Sequence, residues 1–538
     1  MTVNNGTEHQ NISTNNPSYN FADLLAKDSN AGNYDYIIVG AGSAGCVIAR
    51  RLIDQTNAKV LLLEAGGSHA GISRISNPLE SSLNRGTDQD YAYHYEPTPF
   101  VNNRALDLPR GKVLGGSGSI NVMVWSRGNK YDYDGWAALG NKGWDYESVL
   151  PLFKKIEDWE GGETDFHGAG GPIRVERAKD HLLGVTAVAA AESFGIPYIK
   201  DINGPSPEGI GRGVMNVKDG LRHGPTAYLD PVMDHENLTI LLLARVLKLN
   251  FEGTRCTGLD FVQNENTYTV KASGEVILCA GAVDTPRILM LSGIGKSEDL
   301  RALGIDTLVN LPGVGENLQD HPILQGLCFE ANEPLQPYNG NALSSTIHWK
   351  SHYELPFSDL MIFAAQVPIV LPNLARLYPP IPPNSFSLVP ALVRSQSRGY
   401  LKMRTSRHDG PLEIQGNILA DPADVNALVE AVRLCYDLVS KPAFKQLIRN
   451  WIIPQHQLDD RKSIVNIIRE GVKSYSHIVG TCAMGNGKEA VVSDQLLVYG
   501  VDGLRIADAS VMPKITSCNT QAPTMMIAEF AARLIVGK

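Results

Sequence analysis

The sequence lacks the features that mark several large classes of protein. It contains no run of lysine and arginine, and its formal net charge is −9 at pH 7. That balance argues against a nucleic-acid partner, because nucleic-acid-binding proteins usually carry a basic stripe. No apolar run reaches the ~18 residues that indicate a membrane span. The polar N-terminal segment also lacks the charged start and apolar centre of a secretory signal. We therefore predict a soluble globular protein that binds no nucleic acid and has no membrane span.

Cysteine is scarce and scattered. The chain has seven cysteines, an odd number, and none belongs to a C-x-x-C pair. This arrangement argues against a structural metal or a disulfide framework and fits a reducing compartment, so we predict no metal site and a cytoplasmic location. A covalent nucleophile, Cys482 or Cys518, is the less favoured alternative, because small buried cysteines are common and nothing in the sequence indicates a lowered thiol pKa.

Length and composition indicate several folded units. A chain of 538 residues exceeds one simple core and predicts two or three domains. The N-terminal segment is rich in Asn, Thr and Ser, and we predict a flexible tail over residues 1–33.

The strongest local signal is the segment YDYIIVGAGSAGCVIARRLI, which begins at Tyr34. The apolar residues 36–39 predict a buried strand, glycines follow in G-x-G-x-x-G spacing, and CVIARRLI has the pattern of a helix packed on a sheet. A second apolar run, residues 60–63, ends at Glu64, which lies 19 residues after Gly45. Strand, glycines, helix, strand and terminal acid at this spacing predict a dinucleotide site.

Each residue of this segment has a role in such a site. Gly40 permits the tight turn, Gly42 lets a pyrophosphate approach the backbone, and Gly45 lets helix and strand pack closely. The helix N-terminus offers free N–H groups to the phosphates, and Glu64 can accept hydrogen bonds from ribose hydroxyls. The alternative is a glycine-rich turn without a ligand. This unit alone does not distinguish NAD from FAD.

Further motifs follow along the chain. Residues 108–128 contain five glycines and three serines, a composition that suits a backbone wrapped around a flat or phosphorylated ligand rather than a regular helix or strand. The other motifs are GAVDTPRILMLSGIG, GVGENLQDHP, SHIVGTCAMG and LRIADASVMPKITSCNTQAPTMMIAEFAARLI. With RGKVLGGSGSIN and the N-terminal fingerprint, they occur in the order found in the glucose–methanol–choline (GMC) family of FAD-dependent oxidoreductases, which the chain resembles from about residue 34 onward.

The resemblance implies an α/β fold with two domains. A discontinuous, Rossmann-like FAD-binding domain would comprise residues 34–157, 205–325 and 475–538. An α+β substrate-binding domain with an antiparallel sheet would comprise residues 158–204 and 326–474. The many prolines of residues 353–395 predict irregular walls over a cavity, and the alternative is a surface insertion.

The resemblance also implies which residues contact the cofactor. Some relatives tether the flavin through a histidine, but Ile120 stands at that place here, so we predict non-covalent FAD. Asp508 has an alternative role as a turn or cap residue. The predicted FAD-binding residues are Gly40, Gly42, Ser43, Ala44, Gly45, Glu64, Ala65, Arg110, Gly115, Gly116, Ser117, Asn121, Val122, Val246, Ala280, Gly281, Asp508, Ala509, Asn519 and Thr520.

Oxidation of an alcohol requires a base for the hydroxyl proton and an acceptor for the hydride. Neutral imidazole is available at physiological pH, and His477 stands where the family places the base. Asn519 stands where the family places a His or Asn that holds the substrate oxygen, and flavin N5 would accept the hydride. From residue type alone, His477 is a buried structural histidine. The other histidines, His321 among them, lack comparable support.

We therefore predict FAD-dependent oxidation of a small to medium apolar or aromatic alcohol, with oxygen or another electron acceptor as the second substrate. The alternatives are a hydroxynitrile lyase or a light-driven fatty-acid decarboxylase on the same fold, and a flavin-binding protein without turnover. Two residues depart from the family pattern: Ala483, where many relatives have Arg, and Asp284, where Gly or an amide is more usual.

Overall fold

Two large β-sheets organise the chain, and residues of both line one large cavity. The computed structural model describes residues 20–27, 31–206, 208–335 and 340–537. The α-helices of these residues are α1 (Phe21–Lys27), α2 (Ser43–Gln55), α3 (Ser73–Ser76), α4 (Ser117–Ile120), α5 (Lys130–Ala138), α6 (Tyr146–Ile156), α7 (Leu182–Phe194), α8 (Gly281–Leu291), α9 (Ser297–Ala302), α10 (Pro372–Ala375), α11 (Pro422–Val439), α12 (Pro442–Leu447), α13 (Arg461–Gly471) and α14 (Gln521–Val536). None of them combines the length and apolar character needed to span a bilayer.

The strands range in length from two to 13 residues. In chain order they are β1 (Asn33–Val39), β2 (Val60–Leu63), β3 (Tyr93–Tyr95), β4 (Leu106–Leu108), β5 (Glu157–Trp159), β6 (Ile173–Arg177), β7 (Gly209–Arg212), β8 (Val214–Met215), β9 (Val217–Lys218), β10 (Leu221–Arg222), β11 (Leu238–Leu241), β12 (Arg245–Glu252), β13 (Arg255–Gln263), β14 (Asn266–Leu278), β15 (Ile294–Gly295), β16 (Val309–Asn310), β17 (Pro322–Leu324), β18 (Leu327–Ala331), β19 (Leu343–Trp349), β20 (Leu360–Ala365), β21 (Ser385–Leu392), β22 (Tyr400–Met403), β23 (Leu412–Gln415), β24 (Ile448–Ile453), β25 (Val472–Ser474) and β26 (Leu504–Ile506).

The first sheet has seven strands in the order β11-β2-β1-β14-β13-β12, with β26 paired to β14. Strands β11, β2, β1, β14 and β26 run parallel, whereas β14, β13 and β12 form an antiparallel extension. The connection from β1 to β2 passes through α2, as parallel pairing requires. The carboxyl ends of β1, β2 and β14 therefore lie at one edge, where ligands bind in folds of this kind.

Helix α14 closes this unit against α2. Glu529 is buried on α14, and its carboxylate accepts hydrogen bonds from Arg51 of α2 and from the Tyr228 hydroxyl. Lys155 lies 3.0 Å from the same carboxylate. A buried carboxylate is stable when it is paired in this way, so segments from three distant parts of the chain are joined at one residue.

The second sheet is antiparallel and has eight strands. Its main path is β24-β18-β21-β20-β19-β7, and β17 pairs both with β21 and with β25. Strands β7 and β17 fall within the stretches predicted for the FAD-binding domain, so the predicted boundaries at residues 205 and 325 do not coincide with sheet membership. The division into two domains otherwise stays a prediction.

Two segments differ from the sequence-based predictions. The predicted flexible tail contains α1, whose Phe21 is buried and packs edge-on against Phe261 and Tyr268. Residues 1–19 and 28–30 of that tail lie outside the described residues. The prediction of irregular walls over residues 353–395 is wrong for β20 and β21, which are fully buried strands of the second sheet.

Candidate active site

A cavity of about 610 Å³ opens at the carboxyl edge of the first sheet and reaches the second sheet. Eighteen of the twenty predicted cofactor residues line it, and Gly45 and Gly115 do not. Both glycines instead pack against residues next to the cavity wall, where a side chain has no room. A Cβ at Gly115 would lie 2.1 Å from the Ser119 hydroxyl oxygen, and one at Gly45 would lie 2.0 Å from the Gly40 carbonyl oxygen.

The first glycine of the fingerprint is required by its backbone and by its neighbour. Gly40 has a φ of +96°, which disfavours any residue with a side chain. A Cβ there would also lie 2.6 Å from the carbonyl oxygen of Cys279, at the end of β14. Gly42 differs, because its nearest contact would be 3.8 Å away, at Gly116. The backbone of Gly42 thus borders open space in the cavity.

Glu64 ends β2 beside this turn. Its carboxylate accepts hydrogen bonds from the backbone N–H groups of Ala41, at 3.0 Å, and Gly66, at 2.8 Å. Burial raises the pKa of Glu64 to about 7, although these two hydrogen bonds act in the opposite direction. Each carboxylate oxygen can accept a further hydrogen bond. Glu64 can therefore still accept a hydrogen bond from a hydroxyl group of a ligand.

The glycine- and serine-rich loop lies against the same turn. A Cβ at Gly116 would approach the Gly42 Cα to 2.7 Å, so two glycine backbones meet there. Asn121 ends α4, and its side-chain oxygen accepts a hydrogen bond of 2.6 Å from Arg222. Arg222 also donates to the carbonyls of Gly118 and Asn121. Sequence reasoning missed Arg222, since no motif links it to the loop that it holds.

Asp508 and Asp284 stand at the start of α8. The Asp508 carboxylate accepts hydrogen bonds from the Gly281 amide at 2.8 Å and from the Thr285 hydroxyl at 2.6 Å. It also caps the short turn at residues 509–511 through the Ser510 amide, as the alternative role anticipates. Asp284 accepts from the Tyr93 hydroxyl and pairs with Arg287. Both carboxylates are thus satisfied by the protein.

His477 and Asn519 come together at the other end of the cavity. Their side chains are buried, and His477 Nε2 lies 3.3 Å from Asn519 Nδ2. Asn519 Nδ2 also lies 3.2 Å from the Tyr475 hydroxyl. The Asn519 Oδ1 atom is buried without a partner among the described residues. An imidazole nitrogen and an amide therefore face one point, where a hydroxyl group could contact both.

A second histidine, His321, contacts His477. His321 Nδ1 lies 2.9 Å from His477 Nδ1, and the two rings stand at 89° to each other. Sequence reasoning found no support for His321 comparable to that for His477 and did not anticipate this contact. The sequence did contain a signal for His321 as a site residue, because His321 belongs to the motif GVGENLQDHP. The contact depends on the pairing of β17 with β25, which flank the two histidines.

Asp320 fixes the backbone of both histidines. Its Oδ1 accepts the amide hydrogens of His321, at 2.8 Å, and His477, at 2.9 Å. Its other oxygen accepts hydrogen bonds from the hydroxyls of Tyr95 and Ser474. Arg110 approaches from the loop side and donates to the Ser476 carbonyl. These contacts set the direction in which the His477 ring leaves its backbone.

The amide orientation assigned to Asn519 sets the tautomer assigned to His477, because hydrogen positions follow from the hydrogen-bond network. When Asn519 Nδ2 donates toward His477 Nε2, that nitrogen carries a lone pair and the ring proton is on Nδ1. Nδ1–H would then donate to His321 Nδ1. Burial lowers the pKa of His321 to about 3, so it remains a neutral acceptor. Burial, together with His321 and Arg110, also lowers the pKa of His477 well below its usual value.

Apolar side chains form the wall next to this cluster. The Tyr475 ring lies 4.1 Å from the His477 ring and meets Phe363 edge-on at 6.1 Å. Buried side chains of β17, β20 and β21 continue the surface. Those that line the cavity are Ile323, Phe363 and Val389, with Val122, Val124, Leu343 and Ile369 beside them.

The end of the cavity that is lined by Gly42, Glu64 and Gly116, called the first end below, fits a flavin dinucleotide. The N-terminus of α2 has no side-chain cap, so its N–H groups face the cavity where a diphosphate would be stabilised. Gly281 borders open space with no atom within 4 Å of a hypothetical Cβ. Gln521 Nε2 and Asn519 Oδ1 are buried polar atoms without partners among the described residues, as expected for atoms that a bound polar group satisfies.

Comparison with known proteins confirms the resemblance to the GMC family. Models of the N- and C-terminal domains of the GMC oxidoreductases match residues 34–323 and 395–528. The chain is 36% identical to mitochondrial choline dehydrogenase of Mus musculus, over 94% of this chain and 89% of that protein. It is 35% identical to oxygen-dependent choline dehydrogenase of Paraburkholderia phymatum, over 94% and 93%. The crystal structure of pyridoxine 4-oxidase from Mesorbium loti superposes with a TM-score of 0.88 at 29% identity, covering 93% of this chain and 98% of that one.

Proposed function

This chain belongs to the GMC oxidoreductases and is an FAD-dependent alcohol oxidoreductase, and from that premise we propose that it oxidises an alcohol to an aldehyde or ketone with His477 as the base. The observation that carries the proposal is the 3.3 Å approach of His477 Nε2 to Asn519 Nδ2 in the wall of the cavity. An alcohol oxygen that replaces this contact would give its proton to Nε2 and accept the hydrogen bond that Nδ2 otherwise directs at Nε2. Orientation of this kind supplies much of the rate in such reactions.

The first end of the cavity would hold FAD without a covalent link. The backbone around Gly42, Ser43 and Gly116 would border the diphosphate, and Glu64 would receive ribose hydroxyls. When bound, FAD supplies the hydride acceptor at its N5 atom. The apolar Ile120 lines the cavity and offers no nucleophile for a tether.

The protein groups around His477 keep its ring neutral, so that Nε2 is available to take the alcohol proton. His477 becomes an imidazolium with two N–H donors when it takes the proton at Nε2. Its Nδ1–H already points at His321, whose neutral ring accepts the hydrogen bond and adds no second positive charge. Asn519 Nδ2 would stabilise the negative charge that develops on the oxygen.

The alcohol itself would have an apolar or aromatic body. Ile323, Phe363 and Val389 support this part of the proposal, because they present an apolar surface beside Tyr475. The names of the curated relatives specify choline, a cation, and give this preference no support. The cavity-lining carboxylates, Glu64, Asp284 and Asp508, already accept hydrogen bonds from the protein.

An anaerobic screen of alcohols tests the proposal. We expect the flavin absorbance near 450 nm to bleach with a suitable alcohol in the absence of oxygen, and to return on addition of air or a dye. If air restores the absorbance, the electron acceptor is oxygen. If only the dye restores it, the acceptor is another compound. A hydroxynitrile lyase would leave the flavin oxidised with every alcohol, and a photodecarboxylase would release CO2 from a fatty acid only under blue light. Either result would exclude alcohol oxidation as the main activity.

The low pKa of His477 predicts an unusual pH dependence. An ordinary histidine base becomes protonated near pH ~6.5, and activity falls below that pH. Here burial lowers the pKa well below this range, so the neutral base persists at lower pH. With saturating FAD and a neutral alcohol, we expect kcat/KM to change by less than about twofold between pH 8 and pH 6. An inflection near pH 6.5 in stopped-flow flavin reduction would contradict the assignment.

A further inference from the structure

Lys473 is a buried cation that the alcohol chemistry does not use. It lies in β25, lines the cavity and is only 5% exposed. Its side chain makes no hydrogen bond or ion pair with any described residue. Burial lowers the pKa of Lys473 to about 8, with Arg85 acting in the same direction and Asp107 and Asp320 opposing it. An unpaired ammonium in such a place is unfavourable unless something else compensates its charge.

The strand pairing directs Lys473 toward the apolar wall. Lys473 lies directly opposite Ile323 in the antiparallel pair of β25 with β17, and opposite residues share one face of a sheet. The Tyr475 amide continues this ladder to the His321 carbonyl, so Tyr475 follows on that same face about 6.5 Å further along. Tyr475 contacts both His477 and Asn519. Lys473 thus borders the part of the cavity that would hold the body of the alcohol.

A second unpaired cation borders the same space. Arg85 lines the cavity, is exposed, and makes no hydrogen bond or ion pair through its side chain with any described residue. Arg110, by contrast, donates to the carbonyls of Pro109 and Ser476. Lys473 and Arg85 therefore present positive charge to the cavity, and none of the described carboxylates that line it forms an ion pair with either residue.

We propose that the alcohol substrate carries an anionic group, a carboxylate, which pairs with Lys473 while the hydroxyl group lies between His477 and Asn519. This inference rests on the proposed function and adds the charge of the substrate to it. The apolar body of the alcohol lies along Ile323 and Phe363, and Arg85 adds attraction for an anion at the exposed side. A cationic alcohol is disfavoured by the same two residues.

The test uses alcohols of one shape and three charges. The probes are 4-(hydroxymethyl)benzoate, 4-methylbenzyl alcohol and 4-(trimethylammonio)benzyl alcohol, with 6-hydroxyhexanoate and 1-hexanol as an aliphatic pair. Flavin reduction by each is followed anaerobically in the holoenzyme. We expect kcat/KM for the carboxylates to exceed that for the neutral partners by about tenfold or more, because a hydrogen bond to a charged group contributes that much. The cationic probe is expected to be the poorest of the three.

Variants assign the preference to Lys473. In Lys473→Met the preference for the carboxylates should vanish while kcat/KM for the neutral alcohols stays within about twofold of the parent, and Lys473→Arg should retain it. Lys462→Met, at an exposed lysine of α13, is the matched control and should change nothing. Calorimetric binding of 4-methylbenzoate, which lacks the hydroxyl group, should weaken by a similar factor in Lys473→Met.

Three results would overturn the proposal. The first is equal or better use of the neutral alcohols by the parent enzyme. The second is an equal loss on neutral and anionic alcohols in Lys473→Met, which would assign Lys473 to the cofactor or to stability. The third is failure of every alcohol, neutral ones included, to reduce the flavin. Only the third also removes the proposed function, so the two failures are distinguishable.

Discussion

Replacing His477 by alanine is expected to lower kcat/KM for alcohol oxidation by roughly 10²–10⁴-fold, the contribution of a positioned general base. The geometry supplies no substitute. His321 points its Nδ1 at His477 rather than at Asn519, and a hydroxyl held by Asn519 would face an empty space. His477→Gln keeps a polar side chain of similar size but cannot take the proton, so it should be nearly as impaired.

The cofactor should remain bound in both variants, which separates a chemical defect from a structural one. Flavin absorbance of the purified protein checks this directly. His456 lies on an exposed loop, and His456→Ala is the matched control that should retain full activity. Retention of FAD together with nearly unchanged flavin reduction in His477→Ala would show that another group is the base.

The second large effect is expected from Gly45→Ala in α2. An alanine Cβ would lie 2.0 Å from the Gly40 carbonyl oxygen and 3.4 Å from an Ile38 methyl group. The first contact is with backbone, so no side-chain rotation relieves it, and helix and strand must separate. We expect a loss of about 3 kcal/mol or more in stability, at the upper end of overpacking effects, and purification without FAD.

Gly135→Ala provides the control for this substitution. Gly135 also lies in a helix, α5, but a Cβ there meets no atom within 4 Å. Alanine is favoured over glycine in a helix by about 0.5–1 kcal/mol, so the melting temperature should stay equal or rise slightly. Thermal unfolding monitored by circular dichroism, which does not require bound FAD, compares the two variants. Equal melting temperatures would mean that α2 can shift away from β1 without cost.

The dinucleotide half of the fold follows from the sequence because its signals are local. Residues 60–63 are both the predicted and the observed second strand, and the predicted first strand lies within Asn33–Val39. The spacing of the glycines is also explained by contacts within one short segment, residues 34–45. Gly45 meets Gly40, and α2 begins between them.

The second sheet was harder to predict because its signals conflict. Pro390 lies inside β21, although proline cannot donate to a ladder and argues against a central strand. In the structure, Pro390 lies between the two parts of β21 that pair with different neighbouring strands. β18 pairs with β21 up to Leu388, and β17 pairs with it at Ala391. No amide hydrogen is required from residue 390 on that side, and this depends on strands that are distant in sequence.

The contact between His321 and His477 has a similar origin. The two residues are 156 positions apart, and the strands that align them have only three residues each. Such short strands carry little sequence signal. The buried Phe21 of α1 escaped prediction for the opposite reason, because a polar composition surrounds a helix that is held by aromatic contacts with β13 and β14.

The packing of α14 on α2 has a consequence for the order of biosynthesis. The fingerprint of residues 34–64 leaves the ribosome early, but residues 474–524, which supply His477, Asn519 and much of the far wall, are translated far later. β26 joins β14, and α14 reaches Arg51 through Glu529, only after that segment has emerged. A nascent chain can therefore form the glycine turn long before it can enclose a flavin, and cofactor loading must be a late event in the maturation of this enzyme.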